Sequence, residues 1–208
     1  MNDQFYFWKS FYADNIKNGV IPFWNPFSFS GTPFLAHPAT AAFYPLNIIF
    51  LLFPINFAFS VYLFVHLVLA GIFMYVLTLR LISRPGLEHK DKLAAVAGGV
   101  VFSLSGLMAA RIYAGHIDII STFIWIPAVF WSVTSALEDK KKKYLFLSIL
   151  LLTLQILAGY MTVVIFTLEL IFIYQLVISL LTSFLPRVGA RGKLQKESKW
   201  IPDQVGND

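Results

Sequence analysis

Apolar residues fill long stretches of this chain, and polar residues gather in short intervals between them. A hydrocarbon core of about 30 Å is crossed by roughly 20 apolar helical residues. Five runs reach or approach that length: 57–79, 93–110, 119–137, 144–159 and 162–185, the fourth being short. A sixth, 41–53, is closed by Pro54 and is too short to cross, which predicts a re-entrant or interfacial helix. Within 4–18, Phe5, Trp8, Tyr12 and Ile16 recur at helical spacing while Lys9, Asn15 and Lys17 fall elsewhere, which predicts an amphipathic interfacial helix. Across 21–38, Pro22, Pro26, Pro33 and Pro38 forbid one continuous helix, and Gly31 permits a turn. This stiff, aromatic, uncharged segment suits a lid or an acyl-chain groove better than a flexible linker. The pattern predicts an all-α fold, a polytopic transmembrane helix bundle of about five spans over 57–185. An outer segment with amphipathic and re-entrant helices (1–56) precedes it, and a polar, disordered tail (186–208) follows.

Composition sharpens this into a statement about solvent. Of 208 residues, 58% are hydrophobic and 13% charged, where a soluble domain carries about 25% charged. The 62 residues from 18 to 79 hold no Asp, Glu, Lys or Arg. Lipid tolerates such a stretch because apolar helices are at home in it. The chain has no cysteine, which excludes disulfides and thiolate metal sites. The net charge of +5 suggests nucleic acid until it is located. Lys and Arg fall in the intervals between apolar runs, 13 in one alternate set and 3 in the other. Cytoplasmic loops are enriched in Lys and Arg. The expected orientation therefore puts 1–56 and the 111–118 loop outside and the C-terminus in the cytoplasm. The partner implied is the lipid bilayer and not nucleic acid. An outer segment with no preceding span is itself unusual, and the expectation is that the natural first span is missing.

Polar residues near the membrane are the candidate chemistry. Arg111, His116 and Asp118 lie within eight residues. A guanidinium can grip phosphate with two hydrogen bonds, His116 can add a donor, and Asp118 can orient it. The plainer reading has Arg111 reaching to the interface and Asp118 opening a helix. Asp3 could act as a general base at the outer interface, or simply cap a helix. His66, near the middle of the first span, reads as a neutral packing residue, whereas Glu169 in the last span calls for a partner. Gly98, Gly99, Ser103, Gly106 and Ala110 suit close helix approach. No spacing makes a metal site, and no cofactor is expected; a divalent metal has no support in the pattern.

An ordered set of short motifs carries a resemblance. Asp3-Gln4-Phe5-Tyr6, Gly19 to Pro22, Trp24-Asn25-Pro26, Gly31-Thr32-Pro33-Phe34-Leu35-Ala36 and Phe43-Tyr44-Pro45-Leu46-Asn47 come first. Leu69-Ala70-Gly71 to Met74-Tyr75, Phe102-Ser103 to Gly106, Arg111 to His116, Trp125-Ile126-Pro127, and Leu154-Gln155 to Ala158-Gly159 follow. Over about residues 1–175 the chain resembles the YfhO-type bacterial membrane proteins, themselves similar to multi-span glycosyltransferases of GT-C architecture. The resemblance implies a bacterial inner-membrane enzyme that moves sugar from a polyprenyl-phosphate carrier to an outer-face acceptor. It implies Asp3 as the catalytic carboxylate and Arg111, His116, Asp118, Trp24, Asn25 and Gln155 as substrate-binding residues. Phe23, Trp24, Phe27 and Phe29 would then hold the isoprenoid.

The chain departs from the family pattern at Gly159-Tyr160-Met161-Thr162, where relatives commonly read Gly-His-Pro-Gln. The helix ahead of the Asp-Gln pair and the later spans are also lacking, so missing helices or a membrane partner are implied. The ending from Trp200 resembles translated read-through of a genomic repeat, as expected of a truncated frame. Two rival functions stay open. One is a non-catalytic carrier, flippase or assembly partner using His66 and Glu169; the other is an inactive fragment.

Overall fold

A computed structural model describes residues 3–28, 30–82 and 88–184. The chain separates into two compact units, Met1–Thr167 and Leu168–Asp208. The first holds all the elements below except the greater part of the last helix. The predicted tail lies outside the described residues.

The N-terminal segment opens with α1 (Asp3–Lys17), ended by Gly19 in the left-handed region. The proline-rich stretch then forms a tight hairpin, pairing Trp24 with Pro33 and Asn25 with Thr32. Trp24 lies over Gly31, where an added Cβ would come within 2.5 Å of the indole. Only a glycine fits under that ring.

The re-entrant helix expected over 41–53 takes a different form. Two single 3-10 turns, Pro38–Thr40 and Pro45–Asn47, lead into a five-residue helix, α2 (Ile48–Leu52). Ala41 adopts a left-handed conformation, and each turn has a proline in its opening positions. Proline lacks the N–H that would continue a helix across it.

Four stretches are long and apolar enough to cross a membrane: Ile55–Ile82, Lys90–Tyr113, Ile117–Asp139 and Met161–Leu181. The first is one helix, α3 (Ile55–Ile82). The second is α4 (Glu88–Ser103) followed, after a break at Leu104, by α5 (Gly106–Tyr113). Ser105 caps α5 by accepting the Met108 N–H. The third is α6 (Ile117–Phe123) followed by α7 (Ile126–Asp139), with Pro127 in the opening turn of α7. The fourth is α9 (Met161–Phe184).

The remaining predicted span forms α8 (Lys142–Leu157), 16 residues. At 1.5 Å per residue its regular part covers about 24 Å. It nevertheless runs antiparallel along α6 and α7, with Tyr144 against Trp131 near one end and Ala158 meeting Ser121 at the other.

Glycine sets the closest helix pair. A Cβ at Gly99 of α4 would fall 2.6 Å from the Gly71 carbonyl of α3, and Gly98 faces Thr78. Small residues let backbones approach where lipid gives no hydrophobic drive. Gly106 has no such neighbour and belongs to the α4–α5 break.

Within the first unit the connecting segments gather at two ends. At one, Arg80 of α3 pairs with Glu138 and Asp139 of α7 at 3.0 and 2.6 Å, close to Lys140–Lys143 in the chain. At the other, the N-terminal segment meets the starts of α6 and α9. Gly159, at φ +104°, lies directly against the Pro38 carbonyl, a contact that leaves no room for a side chain. In the second unit, the described part of α9 carries exposed apolar side chains, with Glu169 exposed among them.

Candidate functional site

The site is built at the Lys-poor end. Helix α1 packs on α2 and α3 through Phe5, Lys9 and Ala13, spaced i, i+4, i+8. This corrects the expected face of Phe5, Trp8, Tyr12 and Ile16 with Lys9 turned outward. Trp8, Tyr12 and Ile16 are half-buried, and Lys9 is 2% exposed. The inward turn is stabilised by specific acceptors. Lys9 Nζ donates to the Thr40 carbonyl at 3.0 Å and to Asn47 Oδ1 at 2.9 Å, with the Phe50 ring 5.6 Å away. Asn47 in turn donates to the Ala41 carbonyl. Burial pushes the Lys9 amine down to about 7, opposed by the Asp118 carboxylate. Helical spacing puts Lys9 one turn from Phe5, on the apolar face itself, and only its residue type sorted it to the wet side. The signal that could have exposed it is Asn47, a polar residue inside an apolar run.

Two of the predicted trio meet directly. Arg111, in the last turn of α5, places Nη1 3.4 Å from His116 Nδ1. A guanidinium only donates, so Nδ1 accepts here and the imidazole is neutral in this arrangement. His116 sits at the N-cap of α6, two residues ahead of Asp118 in the first turn. Asp118 is 8% exposed, and its Oδ1 is buried with no hydrogen-bond partner among the described residues. Its backbone carbonyl accepts from Ser121 Oγ at 3.0 Å and Thr122 Oγ1 at 2.8 Å.

Gln155 belongs to a neighbouring knot. It is fully buried, and Nε2 donates to Thr167 Oγ1 at 2.7 Å and to the Thr122 carbonyl at 3.4 Å. Thr122 Oγ1 also accepts the Tyr160 N–H at 3.1 Å. The knot ties α8 and the first turns of α9 to α6, immediately behind Asp118. Gln155 Oε1 is buried without a partner among the described residues.

A second buried chain, absent from the sequence reading, crosses the same end. His66 Nδ1 lies 2.6 Å from the Tyr62 carbonyl, so it carries the proton and Nε2 accepts. Tyr44 OH donates to that Nε2 at 3.0 Å and accepts from Trp125 Nε1 at 3.0 Å. Both ring nitrogens of His66 are engaged and the side chain is fully enclosed, in keeping with a neutral packing role. Burial raises the Tyr44 phenol well above its ordinary value.

Away from the bundle, α1 and the hairpin enclose a cleft of two adjoining chambers, about 560 and 420 Å³, that share Gln4, Trp8 and Ser28. Asn25 lines it, but its side chain is engaged within the turn. Oδ1 accepts the Phe27 N–H at 2.9 Å and Nδ2 donates to Ser28 Oγ at 3.3 Å. Trp24 is 55% exposed on the hairpin. The structure thus brings Arg111 and His116 together, places Asp118 in the first turn of α6 with Gln155 behind it, and leaves Trp24 and Asn25 on the hairpin. The Asp3 side chain and Phe29 lie outside the described residues, although α1 begins at Asp3. Among the described residues no group of three His, Asp or Glu is placed to hold a metal.

Long apolar helices with charged residues at their ends, enclosing a polar network, define a multi-pass α-helical membrane protein. No protein-family model, curated protein or solved structure matches the chain.

Proposed function

We propose that the chain acts at the outer face of a bacterial cytoplasmic membrane as part of a GT-C-like glycosyltransferase. It would take sugar from a polyprenyl-phosphate carrier and pass it to an outer-face acceptor. The reading starts from the motif resemblance. The observation that supports it is the meeting of Arg111 and His116, with Asp118 two residues on, at the end of the bundle where the outer segment also docks. In this scheme Asp3 accepts the proton of an acceptor hydroxyl, which attacks the anomeric carbon as the bond to phosphate breaks. Arg111, steadied by His116, stabilises the departing phosphate. The charge bias favours this end facing outside, the C-terminus in the cytoplasm, and α8 as a short fifth crossing.

The test is sugar transfer in proteoliposomes from a radiolabelled polyprenyl-phosphate donor. Asp3→Asn is expected to abolish transfer with insertion intact, and Arg111→Gln to lower it at least tenfold. Transfer unchanged in both variants overturns the scheme. The carrier reading makes Glu169 essential and Asp3 dispensable; it draws no support from His66, whose ring nitrogens are both satisfied. A chain with neither transfer nor transport, and no affinity for lipid phosphate, would be the inactive fragment.

A further inference from the structure

The buried Lys9 amine is not explained by the transfer scheme. Its two acceptors, Thr40 O and Asn47 Oδ1, match the two N–H bonds of a neutral amine. An ammonium brings a third N–H. The carboxylate coupled to it, Asp118, is approached by the backbone N–H groups of Asp118 and Ile119, yet its buried Oδ1 makes no hydrogen bond among the described residues. One group has a proton beyond its two acceptors when charged, and the other has an acceptor without a proton.

We propose that Lys9 and Asp118 form a proton-binding site whose occupancy governs whether α1 stays docked on the bundle. Other titratable groups face the pair. His116 lies near Asp118 at the α5–α6 corner, His66 near Lys9 and Tyr62 near Asp118 on α3, and Tyr44 near Tyr62 in the loop. His66 and Tyr44 are fixed in the chain from Trp125 to the Tyr62 carbonyl. Lys9 has an alternative that they lack, since undocking α1 returns its amine to water.

The sign follows from linkage. An undocked amine keeps its proton to about 10.5, and the docked one releases it at about 7. Between those values the docked state binds fewer protons, so rising pH favours docking by up to about tenfold per pH unit. Below about 7 both states hold the proton and Lys9 adds no further slope. Because α1 carries Gln4 and Trp8 into the cleft, undocking opens it, and a proton thereby controls its cover. This device stands whether or not the chain transfers sugar.

The chain has no cysteine, so a single introduced one reports locally. Ala13→Cys lies on the buried stripe and Asp14→Cys beside it on the exposed face. The ratio of their alkylation rates in vesicles cancels the intrinsic pH dependence of thiols. The ratio is expected to fall as pH rises from about 7 to 9, by up to about tenfold per unit. With Lys9→Met it stays low and flat. Lys9→Arg, which cannot release its proton, keeps it high and flat. Asp118→Asn moves the fall to lower pH, and His116→Gln preserves it. A flat ratio with Lys9 present, an unaltered slope in Lys9→Met or Lys9→Arg, or a slope lost in His116→Gln overturns the proposal.

Discussion

Tyr44→Phe removes one oxygen from the centre of the buried relay and changes little else. The ring keeps its place against Trp125 and His66, with centroids 6.4 and 5.7 Å away, so no sizeable cavity opens. Two hydrogen bonds of 3.0 Å disappear. They leave the Trp125 indole N–H and His66 Nε2 facing apolar surroundings, and each unsatisfied buried group costs about 1–3 kcal/mol. Hydrogen bonds between membrane helices average only about 0.6 kcal/mol by double-mutant cycle. Tyr44, however, bridges two partners in a closed site, so the expected loss is about 2–4 kcal/mol. Unfolding by SDS titration from mixed micelles, followed by Trp fluorescence and circular dichroism, measures it. In Trp125→Phe the donor is already gone, so adding Tyr44→Phe there costs about 1–2 kcal/mol less than in the parent. A Tyr44→Phe protein within about 0.5 kcal/mol of the parent, or strictly additive changes, would show that the relay contributes nothing.

Other consequences follow from the same geometry. Gly99→Ala presses a methyl group onto the Gly71 carbonyl and is expected to cost about 1–3 kcal/mol in the same titration, with Gly106→Ala near neutral. Between pH 7 and 9 the parent should gain stability, approaching about 1.4 kcal/mol per pH unit, because unfolding lets Lys9 take up a proton it has released when folded. Lys9→Met should remove that slope, which SDS titrations at several pH values would show. Arg80→Gln breaks the contacts to Glu138 and Asp139 at a partly exposed site. It should cost no more than about 1 kcal/mol and matter less in high salt, readable as the salt dependence of the unfolding midpoint.

The trio of Arg111, His116 and Asp118 was legible because its members lie close in sequence, and an α5–α6 corner of a few residues cannot separate them far. Lys9 was not, because its partners Thr40, Asn47 and Asp118 come from distant positions. The 41–53 run read as one helix because its apolar content outweighed Pro45, whose ring breaks the ladder. Gln155 was singled out by its motif, but its role in joining α6, α8 and α9 depends on Thr122 and Thr167, which no local pattern connects to it.

By itself the sequence determined the solvent and the class of element. Uncharged apolar runs of about 20 residues are stable as lipid-embedded helices, and no tertiary contact is needed to say so. Tertiary structure decided which polar groups face inward. Burial of a lysine, a histidine or a glutamine is set by whether acceptors and donors from remote segments arrive at hydrogen-bonding distance, and helical spacing carries no record of that arrival.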